Sequence, residues 1–300
     1  MPDTETLNRI CDPSKKYEAI WLFDVQDGNP NGDPDAGNQP RFDPETRQGI
    51  VTDACQKRKI RNYLEMVGRE ESESERYKIF VEMHSILNDK IERGYKELGY
   101  STERNKSGNE DPGSEQQQDE VAQWMRENFA DIRLFGAVLS TGFKAGQVWG
   151  PIQIANARSF DPILPQSFSI TRCAATNRQE NKEAKTMGRK ELIPYGLYRS
   201  YVFYNPHLAG ETVTERDLEL FWQSLIQCWE FDRSSARGTM GCRGLWVFKH
   251  QSKYGSAPAH QLFDCLQVER NQETPREFDA YDVELQEQRV PDGVEVFPLI

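Results

Sequence analysis

Tyr17–Val25 reads YEAIWLFDV and empties into GNPNGDPDAGN, from Gly28 to Asn38; a basic cluster, Lys57, Arg58, Lys59 and Arg61, follows soon after. The first run is apolar on both of its alternating faces (Ala19, Ile20, Trp21, Leu22, Phe23, Val25), as in a strand covered on both sides. The Asn, Asp, Gly and Pro of the second run predict a loop that is neither strand nor helix. Thr52 or Asp53 can cap a helix reaching about Val67. On its wheel Gln56, Ile60, Tyr63, Leu64 and Val67 share one side. Arg58, Arg61 and Glu65 lie opposite, with Lys57 and Lys59 at the borders. This predicts a helix packed on a sheet by one face and presenting cations with the other, beside a loop where a polyanion could approach.

Outward from there, residues 70–130 read as a helical insertion. Tyr77–Leu98 has helical spacing (Phe80, Met83, Leu87, Ile91, Tyr95), Ser101–Glu120 reads as a polar loop, and Val121–Phe129 as a short helix. Strands are expected at Ile132–Leu139 and Val148–Ala157. Phe168–Ala174 and Leu192–Tyr195 are expected as arms of a hairpin with the tip Thr176–Lys190. Leu197–Tyr204 and Gly244–His250 read as further strands, with Tyr281–Leu285 and Val294–Leu299 closing the sheet. Glu215–Phe231 is an amphipathic helix. The order suggests an α+β fold of the ferredoxin-like kind, of which the RNA-recognition motif is one version. The aromatic signature K/R-G-F/Y-G/A-F-V-x-F/Y of that motif is missing.

The chain has 300 residues, 37% of them hydrophobic, with 15 Phe, 11 Tyr and 6 Trp, so it can bury a sizeable core; its mean hydropathy is −0.78. No apolar run approaches the roughly 20 residues of a membrane span, and the acidic start MPDTETLNRI lacks the apolar centre of a secretory signal. Six cysteines without a C-x-x-C pair read as reduced thiols of a cytosolic protein and argue against structural zinc. The net charge of −11 is unevenly spread: Arg133–Asn205 holds 10 basic and 4 acidic residues, whereas Gln261–Ile300 holds 3 and 10. A basic middle between acidic flanks could hold a polyanion and meet a second copy.

Two more basic clusters stand out. The segment ATNRQENKEAKTMGRKE sets Met187 and Gly188 among Arg172, Arg178, Lys182, Lys185, Arg189 and Lys190, next to Thr186. Cations there could hold phosphates while Met187 wedges between bases. FDRSSARGTMGCRG places Arg233, Arg237 and Arg243 among Ser and Gly whose N–H groups suit phosphate contacts. Asp27, Asn29, Asn31 and Gly32 match the first half of an EF-hand calcium loop, but Asn38 stands where its bidentate Glu belongs. The four histidines show no metal or catalytic spacing and read as surface or packing residues. No nucleophile or phosphate-loop motif is present, so no catalytic residue and no cofactor are expected.

FDVQDGNPNGDPDAGNQPR (which contains Arg41), GIVTDACQKRKIRNYL, DIRLFGAVL, GPIQIANARSFDP, TMGRKELIPYGLY and FDRSSARGTMGCRGLWVFKH, in this order, resemble the CRISPR-associated backbone subunit of Cascade surveillance complexes. This is the Cas-seven family, and the likeness is to subtype I-C, or Dvulg. The resemblance implies a hand-shaped protein. Residues 1–67 and 131–300 would form a modified RNA-recognition-motif palm, 68–130 helical fingers and 165–195 a hairpin thumb. It implies copies polymerised head to tail along the CRISPR guide RNA, each presenting a segment of about six nucleotides for pairing with target DNA, with sequence read by base pairing and the protein holding shape. Its further partners would be a processing endonuclease subunit and large and small Cascade subunits, and it would be non-catalytic. Thr52, Lys57, Arg58 and Arg61 match the family's phosphate-contacting helix, which predicts that reversing Lys57 and Arg61 abolishes guide binding without unfolding. Relatives often carry a basic residue where this chain has Val148-Trp149, and Trp149 could stack on a base. Two other readings stay open: a type III-like subunit cleaving target RNA with Asp33 or Asp35, and a calcium-binding structural module.

Overall fold

The structure is a computed structural model and describes residues 2–103, 113–171 and 187–300. Helix α1 (Thr4–Arg9) leads to strand β1 (Tyr17–Gly28). Two-residue strands β2 (Gly32–Asp33) and β3 (Gln39–Pro40) flank a 3-10 turn, and β4 (Gln48–Val51) precedes α2 (Asp53–Gly68). Then come α3 (Leu87–Glu97), α4 (Glu115–Asn128), α5 (Ala130–Phe135), β5 (Gly136–Leu139), β6 (Gly146–Trp149), β7 (Ile152–Ile154), β8 (Ala157–Pro162), β9 (Gln166–Thr171) and β10 (Met187–Tyr204). The remainder is α6 (Pro206–Ala209), α7 (Glu215–Phe231), β11 (Thr239–His250), α8 (Ala259–Phe263), β12 (Leu266–Arg270), β13 (Tyr281–Leu285) and β14 (Val294–Pro298).

β1 is the middle of a large antiparallel sheet with the path β14-β11-β1-β10-β8-β4. Its neighbours pair with it over almost its whole length, from Tyr17 opposite Tyr204 and Lys249 to Gly28 opposite Ile193. Both faces are covered, which is why its apolar pattern does not alternate. Tyr17, Ala19, Trp21, Phe23 and Val25 face α2 and α7, whose Ile60, Leu64, Leu218, Phe221, Trp222, Leu225 and Trp229 share their core. Trp21 stacks on Trp229 at 5.5 Å and Phe23 on Tyr198 at 5.6 Å. Each such ring contributes roughly 1.5–3 kcal/mol by leaving water. Ile20 and Leu22 face the other way, into a core with Trp246, Phe248, Leu262, Phe263 and Leu266. A third core joins α3, α4 and β5–β6 through Ile91, Tyr95, Val121, Met125, Phe129 and Phe143.

Several sequence expectations are corrected. The loop after β1 is not free of regular structure, since it carries the β2–β3 ladder and the 3-10 turn Pro34–Ala36. Ile132–Leu139 is helix to Phe135 and strand only from Gly136, where the chain takes φ 77°. Val148–Ala157 is not one strand, because Gly150-Pro151 and Ala155-Asn156 divide it among β6, β7 and β8. Helix in Tyr77–Leu98 begins only at Leu87. The supposed loop 101–120 already contains the start of α4 at Glu115, set by a capping box between Ser114 and Gln117. Tyr281–Leu285 pairs with β12 in a separate two-stranded sheet, whereas β14 does join the main sheet beside β11.

The hairpin is also redrawn. β9 pairs with Met187–Leu192, so Met187, Gly188, Arg189 and Lys190 belong to an arm and not to the tip. That arm continues unbroken into the central sheet as β10. Pro194, which has no N–H for the ladder, falls opposite Asp27, whose φ is 50°, at the one unpaired position before Gly28 meets Ile193. Arg172, with the end of its expected arm, and the expected tip up to Lys185 and Thr186 lie outside the described residues.

Candidate nucleic-acid interface

Three motifs that are far apart in sequence meet at one end of the sheet. The loop 28–38, the start of α2 and the turn 232–239 form a single hydrogen-bonded assembly. Arg237 donates from Nη1 to the carbonyls of Asn29 (2.9 Å) and Pro30 (2.8 Å), and the Asn29 N–H donates to the Ala236 carbonyl at 2.7 Å. Gly28 and Gly238 allow this approach: a Cβ on Gly28 would sit 1.9 Å from the Arg237 carbonyl oxygen, and Gly238 has φ 62°. The Asn29 amide donates to the Asn38 carbonyl (2.7 Å), closing the loop on itself.

Asn31 ties the loop to the helix. Its Oδ1 accepts from the N–H and the hydroxyl of Thr52, both at 3.0 Å, while Thr52 Oγ1 accepts from the Cys55 N–H and so caps α2. Thr52→Ala removes the cap and one loop tie together. We expect it to lower stability by about 1–2 kcal/mol, measured as a shift of the urea midpoint at constant slope; an unchanged midpoint would refute this role for Thr52.

The expected phosphate ligands fall into two groups. Those of the 233–243 segment each have a partner within the protein. Arg237 also pairs with Asp232 (3.1 Å), which Lys59 holds from the other side at 2.8 Å. Arg243 reaches the buried Asp24 (2.8 Å), which also accepts from Tyr195. Burial pushes the Asp24 carboxyl above its ordinary value despite Arg243. Arg233 pairs with Glu230 and donates to the Met240 carbonyl. This cluster thus holds the loop and strands together as a bracket, while the side chains of Arg233 and Arg243 stay 44% and 41% exposed.

On α2 the helix itself is as expected, but its cations differ in availability. Arg61 is nearly buried and donates from Nε to the fully buried Asp131 at 2.8 Å. Lys57 pairs with Asp53 at 3.2 Å and lies over the Phe135 ring. Arg41 pairs with Asp33 at 3.3 Å. Arg58 alone of the helix's basic cluster makes no hydrogen bond or ion pair among the described residues; partial burial and then the neighbouring Arg61 hold its guanidinium below its usual value. Arg189 and Met187 project from the same face of their arm, and Met187 is 70% exposed. Trp149 is 62% exposed but stands in a separate hollow lined by neither α2 nor the loop. The sequence reading singled out Asn31 only as part of a calcium-like loop and missed its tie to Thr52, and it missed Asp131 and Asp232, whose partners are distant in the chain.

In the loop that resembles the start of a calcium site, the Asn29 amide donates to the Asn38 carbonyl and the Asn31 Oδ1 accepts from Thr52. Among the described residues no three His, Cys, Asp or Glu side chains converge as metal ligands. Of the histidines, His250 is a packing residue, buried against Glu18 and accepting from the Ser256 N–H. No helix among the described residues is long and apolar enough to cross a membrane.

Comparison with known proteins places this architecture. A Cas7 of Haloferax volcanii, a CRISPR-associated protein, is 33% identical over 251 residues, covering 73% of this chain. The chain spans 65% of that relative's length. A chain of a CRISPR RNA-guided surveillance complex in a pre-nicking state superposes with a TM-score of 0.50 at 12% identity, over 78% of each chain. A chain of the type III-B Cmr-beta complex bound to cognate target RNA gives 0.42 at 14% identity, over 81% of this chain and 63% of that one. The family described as CRISPR-associated protein Cas7 matches residues 15–286. With nine-tenths of its length so matched, around the loop, helix and bracket described above, this chain belongs to the Cas7 family.

Proposed function

We propose that the protein is the guide-RNA-binding backbone subunit of a type I-C Cascade complex, non-catalytic, with copies arranged head to tail along the guide. The observation that carries this is Arg58, a half-buried guanidinium without an acceptor, on the outward side of a helix whose N-terminal turn is locked to the loop 28–38. A phosphate would supply the missing acceptor and meet the positive end of the helix. The order of the type I-C motifs in the sequence supports the subtype. In this reading the sheet with α2 and α7 is the RNA-recognition-motif-like palm, the α3–α4 region (68–130) the fingers, and the β9–β10 hairpin (165–195) the thumb. Met187, on an arm, would approach the guide from the hairpin's side. Target DNA would be met through the guide, and the other Cascade subunits at the ends of the filament.

Arg58→Glu should weaken binding of guide RNA and flatten its salt dependence by about one phosphate's worth. Its melting temperature should stay that of the wild type. Unchanged affinity in the folded variant would remove the α2 face from the interface. A second reading, cleavage of target RNA, is favoured only by Asp35. It is exposed at the loop tip, whereas Asp33 accepts from the Asp35 N–H and pairs with Arg41. Metal-dependent cuts in complementary RNA that vanish with Asp35→Ala would establish it.

A further inference from the structure

β1 and β10 separate the loop 28–38 from the other end of the sheet by the length of a 12-residue strand, about 36–40 Å at ~3.3 Å per residue. At that far end, where Tyr17 lies opposite Tyr204, two hollows of about 340 and 430 Å³ adjoin and share His207 and Gly210. Trp149 borders the first and is 62% exposed; Tyr254, 75% exposed, lies against His207 with ring centroids 4.9 Å apart. Lys253 lines the second and sits over the Tyr254 ring at 5.3 Å. Both rings thus leave most of their surface open to water beside cations.

Arg126 adds a cation to the first hollow. It projects from α4 into the first hollow and donates from Nη2 to the carbonyls of Trp149 (2.6 Å) and Leu208 (3.1 Å). Its Nε is buried without an acceptor, and no carboxylate pairs with it among the described residues. Burial holds its guanidinium below the usual value. The Arg126 Nη1 also lies 3.2 Å from where a Cβ on Gly210 would be, so a side chain there would crowd the guanidinium. The hollow is not uniformly positive. Asp119 stands at its exposed rim, and Asp12 lines the second hollow, where it accepts from Ser14.

We propose that Trp149, His207–Tyr254, Arg126 and Lys253 form a second track for single-stranded nucleic acid, distinct from the α2 face, with bases on the rings and phosphates at the two cations. Rings alternating with cations along a groove are how proteins hold single strands without reading their sequence. The track does not depend on guide binding at α2, although a strand displaced when a guide pairs with duplex DNA would be a natural occupant.

The test uses the full chain with its guide site saturated by guide RNA, titrated with fluorescently labelled oligothymidylate and, in parallel, oligouridylate. The wild type should bind. The Trp149→Ala, Tyr254→Ala double variant should bind about 10-fold or more weakly, as loss of base stacking predicts. Both residues are exposed, so folding should survive. Arg126→Gln should weaken binding too, and Lys253→Ala, at the surface, covers the case in which the former fails to fold. Preference for one oligonucleotide over the other tells a DNA strand from an RNA strand, and either supports the track. Undiminished binding by the double variant overturns it. So does a double variant whose only change is in self-association, which would make this end a protein–protein surface. Binding that disappears with Arg58→Glu and not with Trp149→Ala, Tyr254→Ala would return the oligonucleotide to the α2 face and overturn it as well.

Discussion

Arg133→Met is expected to destabilise the protein by about 3–5 kcal/mol, the cost of leaving a buried charge without its partner. Arg133 is fully buried and grips Asp217 with two donors, Nη2 at 2.8 Å and Nε at 3.2 Å. Its remaining donors go to the carbonyls of Arg126, Glu127 and Arg76. Asp217 accepts from Arg76 (2.7 Å) and from the N–H and hydroxyl of Thr214, capping α7. One ion pair therefore joins the ends of α4 and α7 to α5 and to the 3-10 turn Ser74–Tyr77. Methionine matches the stem of arginine but abandons every one of these acceptors. Guanidinium denaturation should show the loss as a lower midpoint; a midpoint equal to the wild type's would mean that water replaces the side chain at no cost.

The same pair sets a pH dependence. Burial alone would raise the Asp217 carboxyl, but the charges of Arg133 and Arg76 and the Thr214 hydrogen bonds bring it below its ordinary value of 3.8. A carboxyl lowered on folding contributes stability above its unfolded value, near pH 4, and loses it as pH falls through the folded value. The wild type should therefore keep this contribution down to about pH 4. In Arg133→Met the carboxyl protonates at higher pH, so acid unfolding should begin earlier.

What the sequence made legible was whatever depends on local pattern. β1 announced its burial on both sides, Thr52 announced the start of α2, and the alternation of Leu218, Phe221, Trp222 and Leu225 announced α7. The family, too, was legible from motif order. The misreadings share a cause: they concern partners distant in the chain. Nothing near Arg237 says that its acceptors are the Asn29 and Pro30 carbonyls, and a run of Arg, Ser and Gly reads equally as a phosphate loop or as a bracket. Ile132–Leu134 has the composition of a strand, but tertiary packing against α4 makes it helix. Arg126 and Lys253 carried no motif at all, and only two hollows that share His207 and Gly210 bring them to one end of the sheet.

Arg61 is where this difference has its largest experimental consequence. The helical wheel puts it with Arg58 on the free face, from which reversing Lys57 and Arg61 together would remove guide contacts from an intact protein. The structure separates the two. Lys57 pairs with an Asp53 that is 45% exposed, one turn away, a contact worth about 0.3–0.5 kcal/mol. Arg61 pairs with Asp131, whose carboxylate also accepts from the N–H groups of Phe80 (2.7 Å) and Val81 (3.0 Å) and so anchors the start of the insertion. Arg61→Glu sets a second carboxylate against a buried one. The expected loss is about 3–5 kcal/mol, so Lys57→Glu should melt within a degree or two of the wild type and Arg61→Glu far below it. The double reversal would then lose RNA by unfolding, and its failure to bind would say nothing about phosphate contacts. Pairing Arg61→Met with Asp131→Asn separates the effects: if the ion pair is the cause, the double variant should recover at least about 1 kcal/mol relative to the sum of the single losses. A folded Arg61→Glu protein with a wild-type melting curve would show instead that Asp131 needs no cation, and would return Arg61 to the guide-binding face beside Arg58.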